Sequence, residues 1–188
     1  MDMIFLQRAF LSITLLVPSC YAATPLPDGS ALAISLSTTG TVSVALSADR
    51  PRAVSVGAEL NRAWSSASEL LVVGQRGISV QGRAFVVVAI ATPSTKRHGG
   101  GHCGAGTEDK LLLLEWQAAV RRLQLRDTLL MQSCLTALSL VGDQAANVKD
   151  SLGKISDPTR LTLQWLSHPR HGAMPKTVTV RNGRFHLS

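Results

Sequence analysis

The segment that decides the fold is Lys176-Thr177-Val178-Thr179-Val180-Arg181, followed by Asn182-Gly183 and then Arg184-Phe185-His186-Leu187. On both sides of the Asn-Gly pair, apolar residues alternate with polar ones, and this period of two is typical of β-strands with one buried face. Asn-Gly supplies the positive φ values that a two-residue hairpin turn requires. The segment therefore predicts an antiparallel hairpin near the carboxyl end of the chain.

The same alternation recurs toward the amino terminus. Residues 31–37 and 41–47 alternate large apolar with small side chains, and a short Gly-containing connection separates them, so we expect a second hairpin. Residues 78–81 and 161–165 predict single strands. Residues 84–92 are β-branched and apolar on both faces, which is typical of a central strand of a sheet.

The sequence of region 110–141 is compatible with two structures, a pair of helices and a β-meander. Its leucines favour a helix by propensity, whereas residues 120–126 alternate in part. We favour the meander, with a short turn at Asp127-Thr128. The meander needs a second turn near Gln117-Ala118, which has no turn-forming chemistry.

The remaining segments contribute turns and short helices. Residues 74–77 resemble a turn, residues 64–69 are compatible with the start of a short helix, and another short helix is expected at residues 144–150. Together the patterns predict a mostly β fold that is antiparallel, either sandwich-like or a single curved sheet, with one or two short helices. Residues 23–188 are expected to form this single domain.

The first 22 residues have the pattern of an export signal. Arg8 precedes a short apolar run at residues 9–17, and small residues follow, so we expect cleavage after Ala22. This predicts a periplasmic or secreted protein. Val17-Pro18-Ser19-Cys20 also resembles a bacterial lipobox, so an outer-membrane lipoprotein anchored through Cys20 is the alternative, and a membrane is expected as a partner only in that case.

The cysteine count supports one covalent cross-link. The chain has three cysteines, and removal of the signal leaves Cys103 and Cys134. Two cysteines in an oxidising compartment most simply form one disulfide, which we expect to stabilise the fold by roughly 3–4 kcal/mol. If the chain stayed in the cytosol, both thiols would be reduced.

Composition and charge limit the classes of partner. The 188 residues carry a net charge of +7, with 45% hydrophobic and 16% charged residues, which is sufficient for a core and excludes global disorder. Nucleic-acid binding is not expected, because stacking aromatic residues do not interleave with the basic ones. The positive charge instead favours an acidic protein as the partner. Oligomeric state is not predicted.

The Gly-rich loop at residues 96–109 is the first candidate site. His98, His102 and Cys103, with Glu108 or Asp109, are of the types that bind zinc, but their spacing matches no specific zinc motif. The loop also partly resembles an esterase oxyanion loop with a cysteine nucleophile elbow, a free nucleophilic cysteine, or an anion cradle. We favour a structural role, in which the glycines allow tight turns before a disulfide cysteine.

A second candidate loop runs from Ser167 to Pro175. It contains His168 and His171, which are three residues apart. Such a pair binds a metal, senses pH, or lies in an exposed loop that connects two strands. The sequence leaves these alternatives open.

Three short elements carry a resemblance to other proteins. Cys103-Gly104-Ala105-Gly106-Thr107-Glu108, Gln132-Ser133-Cys134-Leu135 and the Leu163-Gln164-Trp165 strand are similar to elements of small uncharacterised exported proteins of Gram-negative bacteria. The resemblance covers about half of the expected mature chain. It supports export and the pairing of the two cysteines, and it implies no activity and no functional residue.

These observations favour a non-enzymatic exported binding protein whose partner is another protein. A toxin-neutralising immunity protein and an inhibitor of an envelope enzyme are examples of this class. We expect no catalytic residue, metal or cofactor, and we expect partner contacts at His98, His102, His168 and His171. Two alternatives remain: an exported hydrolase or metal-dependent enzyme using His98, His102 and Glu108, and an envelope structural module.

Overall fold

The computed structural model describes residues 24–39, 41–46, 52–94, 106–136, 138–141, 152–155 and 157–188. These residues form mostly β-strands with one α-helix, so the predicted mostly β fold is confirmed. The strands belong to three sheets. None of the helices in the described part of the chain has the length and apolar character needed to cross a membrane.

The amino-terminal sheet is antiparallel, with the strands in chain order. It consists of β1 (Thr24–Pro25), β2 (Ala31–Leu36), β3 (Val42–Leu46) and β4 (Arg52–Ala53). Strands β2 and β3 pair with Ile34 opposite Val44, which confirms the hairpin predicted from the alternation in this region.

The central sheet has five strands in the order β5-β9-β8-β7-β6. Its elements are β5 (Ser55–Val56), α1 (Ala58–Trp64), β6 (Glu69–Val80), β7 (Arg83–Pro93), β8 (Thr107–Gln117) and β9 (Arg122–Ser133). Strand β5 is parallel to β9, and the other neighbours are antiparallel. Strand β7 lies inside the sheet, as its two apolar faces predict, and the meander favoured over two helices is confirmed by β8 and β9.

The carboxyl-terminal sheet is antiparallel in the order β10-β11-β12-β13. It consists of β10 (Ser139–Leu140), β11 (Arg160–Ser167), β12 (Pro175–Arg181) and β13 (Arg184–Leu187). Asn182 and Gly183 have φ values of +52° and +71°, as a two-residue turn of this kind requires. The hairpin predicted at residues 176–187 is therefore confirmed.

The central sheet is covered on both faces, because β8 contributes buried leucines to each. Leu111 and Leu113 belong to a core with Leu163 and Trp165 of the carboxyl-terminal sheet. Leu112 and Leu114 belong to a second core, which includes residues of the amino-terminal sheet and of α1. Alternate residues of a strand face opposite sides, so a strand with a core on each side carries a continuous apolar run. This explains why the leucine run is a strand despite its helical propensity.

Three local predictions are wrong in position. The helix α1 ends at Trp64 instead of starting there. Residues 74–77 lie within β6, where the pairing with β7 shifts register, so the glycines allow a bulge and not a turn. Asp127-Thr128 lies within β9, so the turn predicted there is wrong. The other turn of the meander, predicted near Gln117-Ala118, is confirmed by a short 3-10 turn at Ala118–Val120, followed by Arg121 with a φ of +48°.

Several predictions fall on residues outside the described ranges. These are the export signal at residues 1–22, the lipidation alternative at Cys20, the short helix at residues 144–150, and the loop positions His98, His102 and Cys103.

Candidate functional site

The Gly-rich loop starts at one end of the central sheet, and the β11–β12 loop starts at the adjoining end of the carboxyl-terminal sheet. We call this part of the molecule the loop end. At this end β7 finishes at Pro93 opposite Thr107 of β8, and Glu108 pairs with Ser133 at the finish of β9. A bridge between Ser133 and Leu138 then leads to β10, whose Ser139 pairs with Ser167 of β11. Neighbouring strands are about 4.8 Å apart, so a few strand spacings separate the bases of the two loops.

The loop between β11 and β12 is organised around His168. The backbone N–H groups of Arg170 and His171 donate to His168 Nδ1 at 3.0 Å and 3.1 Å. The N–H of Gly172 donates to the His168 carbonyl at 3.0 Å, and Gly172 takes a φ of +61° that favours glycine. One side chain therefore satisfies two backbone donors and fixes the shape of the loop.

The two histidines of this loop lie against a buried tryptophan. The ring of His168 meets Trp165 edge-on with centroids 4.7 Å apart, and the His168 and His171 centroids are 4.4 Å apart. Trp165 is fully buried, and its Nε1 donates to the Met131 carbonyl at 2.7 Å. The loop is thus anchored to the core of the protein through Trp165, and His168 and His171 are brought together as their spacing allows.

The hydrogen bonds of His168 bear on its chemistry. A nitrogen that accepts hydrogen bonds carries no proton, so in neutral His168 the proton is on Nε2. Burial lowers the pKa of His168 below its ordinary value of 6.5, and the positive charges of His171 and Arg170 lower it further. His168 is therefore neutral at pH 7, and neither of its nitrogens offers an open lone pair to a metal without breaking the loop. The geometry favours a structural role for His168 in presenting the loop.

Exposed apolar side chains flank this loop. Leu166 and Met174 are each 67% exposed, and Leu135, in the turn after β9, is 55% exposed. These three side chains and Val120 are the large hydrophobic residues of the described ranges that are most open to solvent. Val120 lies at the opposite end of β8, so the loop end has three of the four.

The Gly-rich loop is closed at its base by described residues. The N–H of Ser94 donates to the Gly106 carbonyl at 2.9 Å. A Cβ atom at Gly106 would lie 2.9 Å from Cys134 Cβ and 3.1 Å from Cys134 Sγ, so only glycine allows the two segments to approach this closely. The start of β8 is therefore packed directly on Cys134, at the end of β9.

Glu108 and Asp109 were candidate ligands beside the histidines of the Gly-rich loop. Glu108 Oε1 accepts a hydrogen bond from Ser133 Oγ at 2.7 Å. As consecutive strand residues, Glu108 and Asp109 point to opposite faces of the sheet, so they do not form one carboxylate site. No group of three or more His, Cys, Asp or Glu side chains suited to a metal ion occurs among the described residues.

Sequence reasoning missed the three apolar residues of the loop end. Leu166 was detectable from the sequence, because the alternation of β11 places it on the outward face, where a polar residue is expected. Leu135 was not detectable, because its position in the turn after β9 depends on the Ser133–Leu138 bridge.

Comparison with protein-family models, with curated proteins and with solved structures finds no match to this chain.

Proposed function

We propose that this chain is an exported, non-enzymatic protein-binding domain that contacts another protein through its loop end. The observation that carries the proposal is that Leu135, Leu166 and Met174, each more than half exposed, all lie at the loop end. Apolar side chains that are grouped on a surface and surrounded by polar residues are typical of protein interaction sites. An immunity protein or an inhibitor of an envelope enzyme would use such a surface.

The order of the loop adds to this proposal. The hydrogen bonds to His168 and the packing on Trp165 fix the loop before any partner arrives. A binding surface that is already ordered loses less conformational entropy when the complex forms. His168 therefore acts as a positioning residue, and His171, Leu166 and Met174 are the side chains that we propose touch the partner.

Export and the disulfide are part of the same proposal. Cys134 packs against Gly106, which is three residues after Cys103. Three residues of extended chain span at most about 10 Å, so Cys103 is within reach of Cys134. We expect periplasmic protein to show no free thiol under native conditions and two after reduction and unfolding. A native protein that reacts with a thiol reagent would contradict this part of the proposal.

The binding proposal is tested with a matched pair of variants. Leu166→Asp places a charge at the loop end, and Val120→Asp places the same charge at the opposite end, on a side chain that is 64% exposed. The chain purified from the periplasm is immobilised and exposed to envelope extract, and retained proteins are identified by mass spectrometry. We expect Leu166→Asp to reduce retention of the partner by about tenfold or more, because a charge in an apolar contact disrupts the centre of an interface.

Val120→Asp should retain the same protein as the original chain. The proposal is wrong if the two variants retain that protein equally, or if the original chain retains no protein at all. Far-UV circular dichroism of both variants shows that they are folded.

A further inference from the structure

The outward face of the carboxyl-terminal sheet carries an unusual distribution of charge. Strands β11, β12 and β13 contain no Asp or Glu residue. Their outward side chains include Arg160, Arg181, Arg184 and His186, all of them exposed. We call the surface around these four residues the cationic face.

The pairing of the strands brings these cations together. Arg160 pairs with Thr179, and Thr179 pairs with His186, so the three residues form one row across the sheet. Arg181 pairs directly with Arg184 on the two sides of the Asn182-Gly183 turn. Paired residues of an antiparallel sheet have Cβ atoms about 5 Å apart. The cationic face is thus compact and lies at the end of β11 that is remote from the loop end.

These arginines form no ion pair with another described residue, and the carboxylate of Asp127 next to them accepts the N–H of Phe185 at 2.8 Å. Among the described residues, ion pairs involve Arg83 and Arg126 with Glu115, and none involves Arg160, Arg181 or Arg184. Like charges directly opposite each other destabilise a sheet. An arrangement that costs stability and is exposed to solvent is expected where a surface serves binding.

We infer that the cationic face binds a carboxylate-rich segment of the partner protein. Arginine presents a planar set of donors that matches a carboxylate with two parallel hydrogen bonds. This inference rests on the proposed function and adds the chemistry of the partner: an apolar contact at the loop end and acidic residues along β11 to β13.

Two other classes of polyanion fit the face less well. A single-stranded nucleic acid stacks its bases on aromatic rings, but Trp165 and Phe185, the tryptophan and phenylalanine of these strands, face the core. An anionic membrane favours apolar side chains next to the basic ones. Leu166 is six residues from Arg160 along β11, which is about 20 Å in an extended strand.

The test uses defined probes, so it does not depend on finding the partner. Binding of a fluorescent octaglutamate peptide to the chain purified from the periplasm is measured by anisotropy at low and at physiological salt. We expect Arg181→Gln/Arg184→Gln to weaken the peptide about three- to tenfold, because each exposed charge pair contributes a modest free energy. The control Arg62→Gln/Arg121→Gln removes the same charge from exposed positions on α1 and on the turn after β8, and should change affinity less than twofold.

Three results would overturn the inference: no binding of octaglutamate, equal loss in both double variants, or tighter binding to duplex DNA or to phosphatidylglycerol vesicles that depends on Arg181 and Arg184. None of these results affects the capture experiment with Leu166→Asp. Failure of the cationic face is therefore distinguishable from failure of the proposed function. Near-unchanged thermal unfolding of the double variants shows that any loss of binding is not a loss of fold.

Discussion

Two carboxylates of strand β8, Glu115 and Asp109, lie on the same face of the central sheet but have opposite surroundings. Glu115 is paired with arginines, whereas Asp109 is buried without a cation. Glu115, near the end of β8 that adjoins Val120, is gripped by Arg83 through two hydrogen bonds of 2.7 Å and 2.8 Å. Arg126 approaches the same carboxylate at 3.3 Å. Hydrogen bonding to Arg83 lowers the pKa of Glu115, so this side chain is firmly ionised.

Asp109, at the loop end, has no such partner. The residue is only 3% exposed, and its Oδ1 atom has no hydrogen-bond partner in the described structure. Burial raises the pKa of Asp109, and repulsion from Glu69 and Glu108 adds to the increase, although a hydrogen bond from Thr107 opposes it. One end of β8 therefore carries a carboxylate whose charge is stabilised, Glu115. The other end carries Asp109, whose ionisation is opposed by burial.

The end of β8 at Glu115 therefore stabilises the fold, whereas the loop end contains the candidate binding surface. At the Glu115 end, Arg83 also lies 5.1 Å from the centre of the Phe85 ring, and the Asn182-Gly183 turn packs on this pair. At the loop end, the candidate site includes the exposed Leu135 and Leu166, and the buried Asp109 has an oxygen without a hydrogen-bond partner. Sites that serve binding commonly carry such local costs, which the rest of the fold offsets.

Loss of Arg83 should change the free energy of unfolding more than any other substitution at the two ends of β8. Arg83→Met keeps an aliphatic chain over Phe85 but leaves Glu115 with Arg126 as its remaining cation. Because removing one partner of a poorly solvated ion pair strands the other charge, we expect the free energy of unfolding to fall by about 2 kcal/mol at pH 7. Urea denaturation measures the change, and Arg62→Met on the exposed face of α1 is the control.

The pH dependence of that loss follows from Glu115. Its pKa in the folded protein is below the ordinary value of 4.5, so its stabilising contribution is present above pH 4.5 and is lost as the pH falls through the folded pKa. The difference between Arg83→Met and the original chain should therefore shrink below pH 4.5. A loss of stability under about 0.5 kcal/mol at pH 7 would mean that Arg126 alone satisfies Glu115.

Removing the charge of Asp109 should act in the opposite direction. Asp109→Asn keeps the shape of the side chain and cannot ionise, so we expect stability at pH 7 to rise by about 1 kcal/mol. The folded pKa of Asp109 is raised, so its favourable contribution is present below pH 3.8 and is lost as the pH rises through the folded pKa. The gain should therefore be largest near neutral pH and disappear near pH 3.

Asp157→Asn is the matched control for that measurement. Asp157 is exposed and accepts hydrogen bonds from the Thr159 backbone and hydroxyl, which lower its pKa. Loss of this charge should leave stability unchanged or slightly lower. If Asp109→Asn is also destabilising, then the ionised carboxylate of Asp109 has a favourable role at the loop end that its contacts do not reveal.

The sequence predicted the fold where local signals agree. Residues 176–187 combine strict alternation with Asn-Gly, and residues 84–92 are apolar on both faces, so both were assigned correctly. It failed at Asp127-Thr128, because the side chains that favour a turn also occur at an irregular strand pairing: β9 shifts register against β8 next to Asp127. Such a shift depends on the partner strand and leaves no pattern in β9 itself.

The candidate site was predictable only in part. The three-residue spacing of His168 and His171 allowed them to meet, and the structure brings them together on Trp165. The role of His168 Nδ1 as an acceptor was not predictable, because it depends on the backbone path at Arg170 and Gly172. The charge state of Asp109 was also hidden, since it follows from burial between strands that are distant in sequence.

Protonation of His168 should have a smaller effect, which is limited to the loop between β11 and β12. The folded pKa of His168 is below its ordinary value of 6.5, so its contribution to loop stability is present above pH 6.5 and is lost as the pH falls through the folded pKa. Protonation removes the lone pair of Nδ1 that holds the N–H groups of Arg170 and His171. We therefore expect the amide resonances of these residues to shift as the pH falls from 7 through the folded pKa of His168, whereas amides around Glu115 stay unchanged until the pH is below 4.5.

His168→Asn separates the hydrogen bonds from the titration. An asparagine side chain accepts hydrogen bonds from backbone N–H groups two and three residues ahead, which are the same donors that His168 Nδ1 satisfies, but it does not ionise in this range. We expect the variant to keep the loop ordered and to abolish these amide shifts, while His186→Gln on β13 leaves them intact. Unchanged shifts in His168→Asn would mean that protonation of His168 does not cause the transition, and they would remove His168 as the residue that positions the loop.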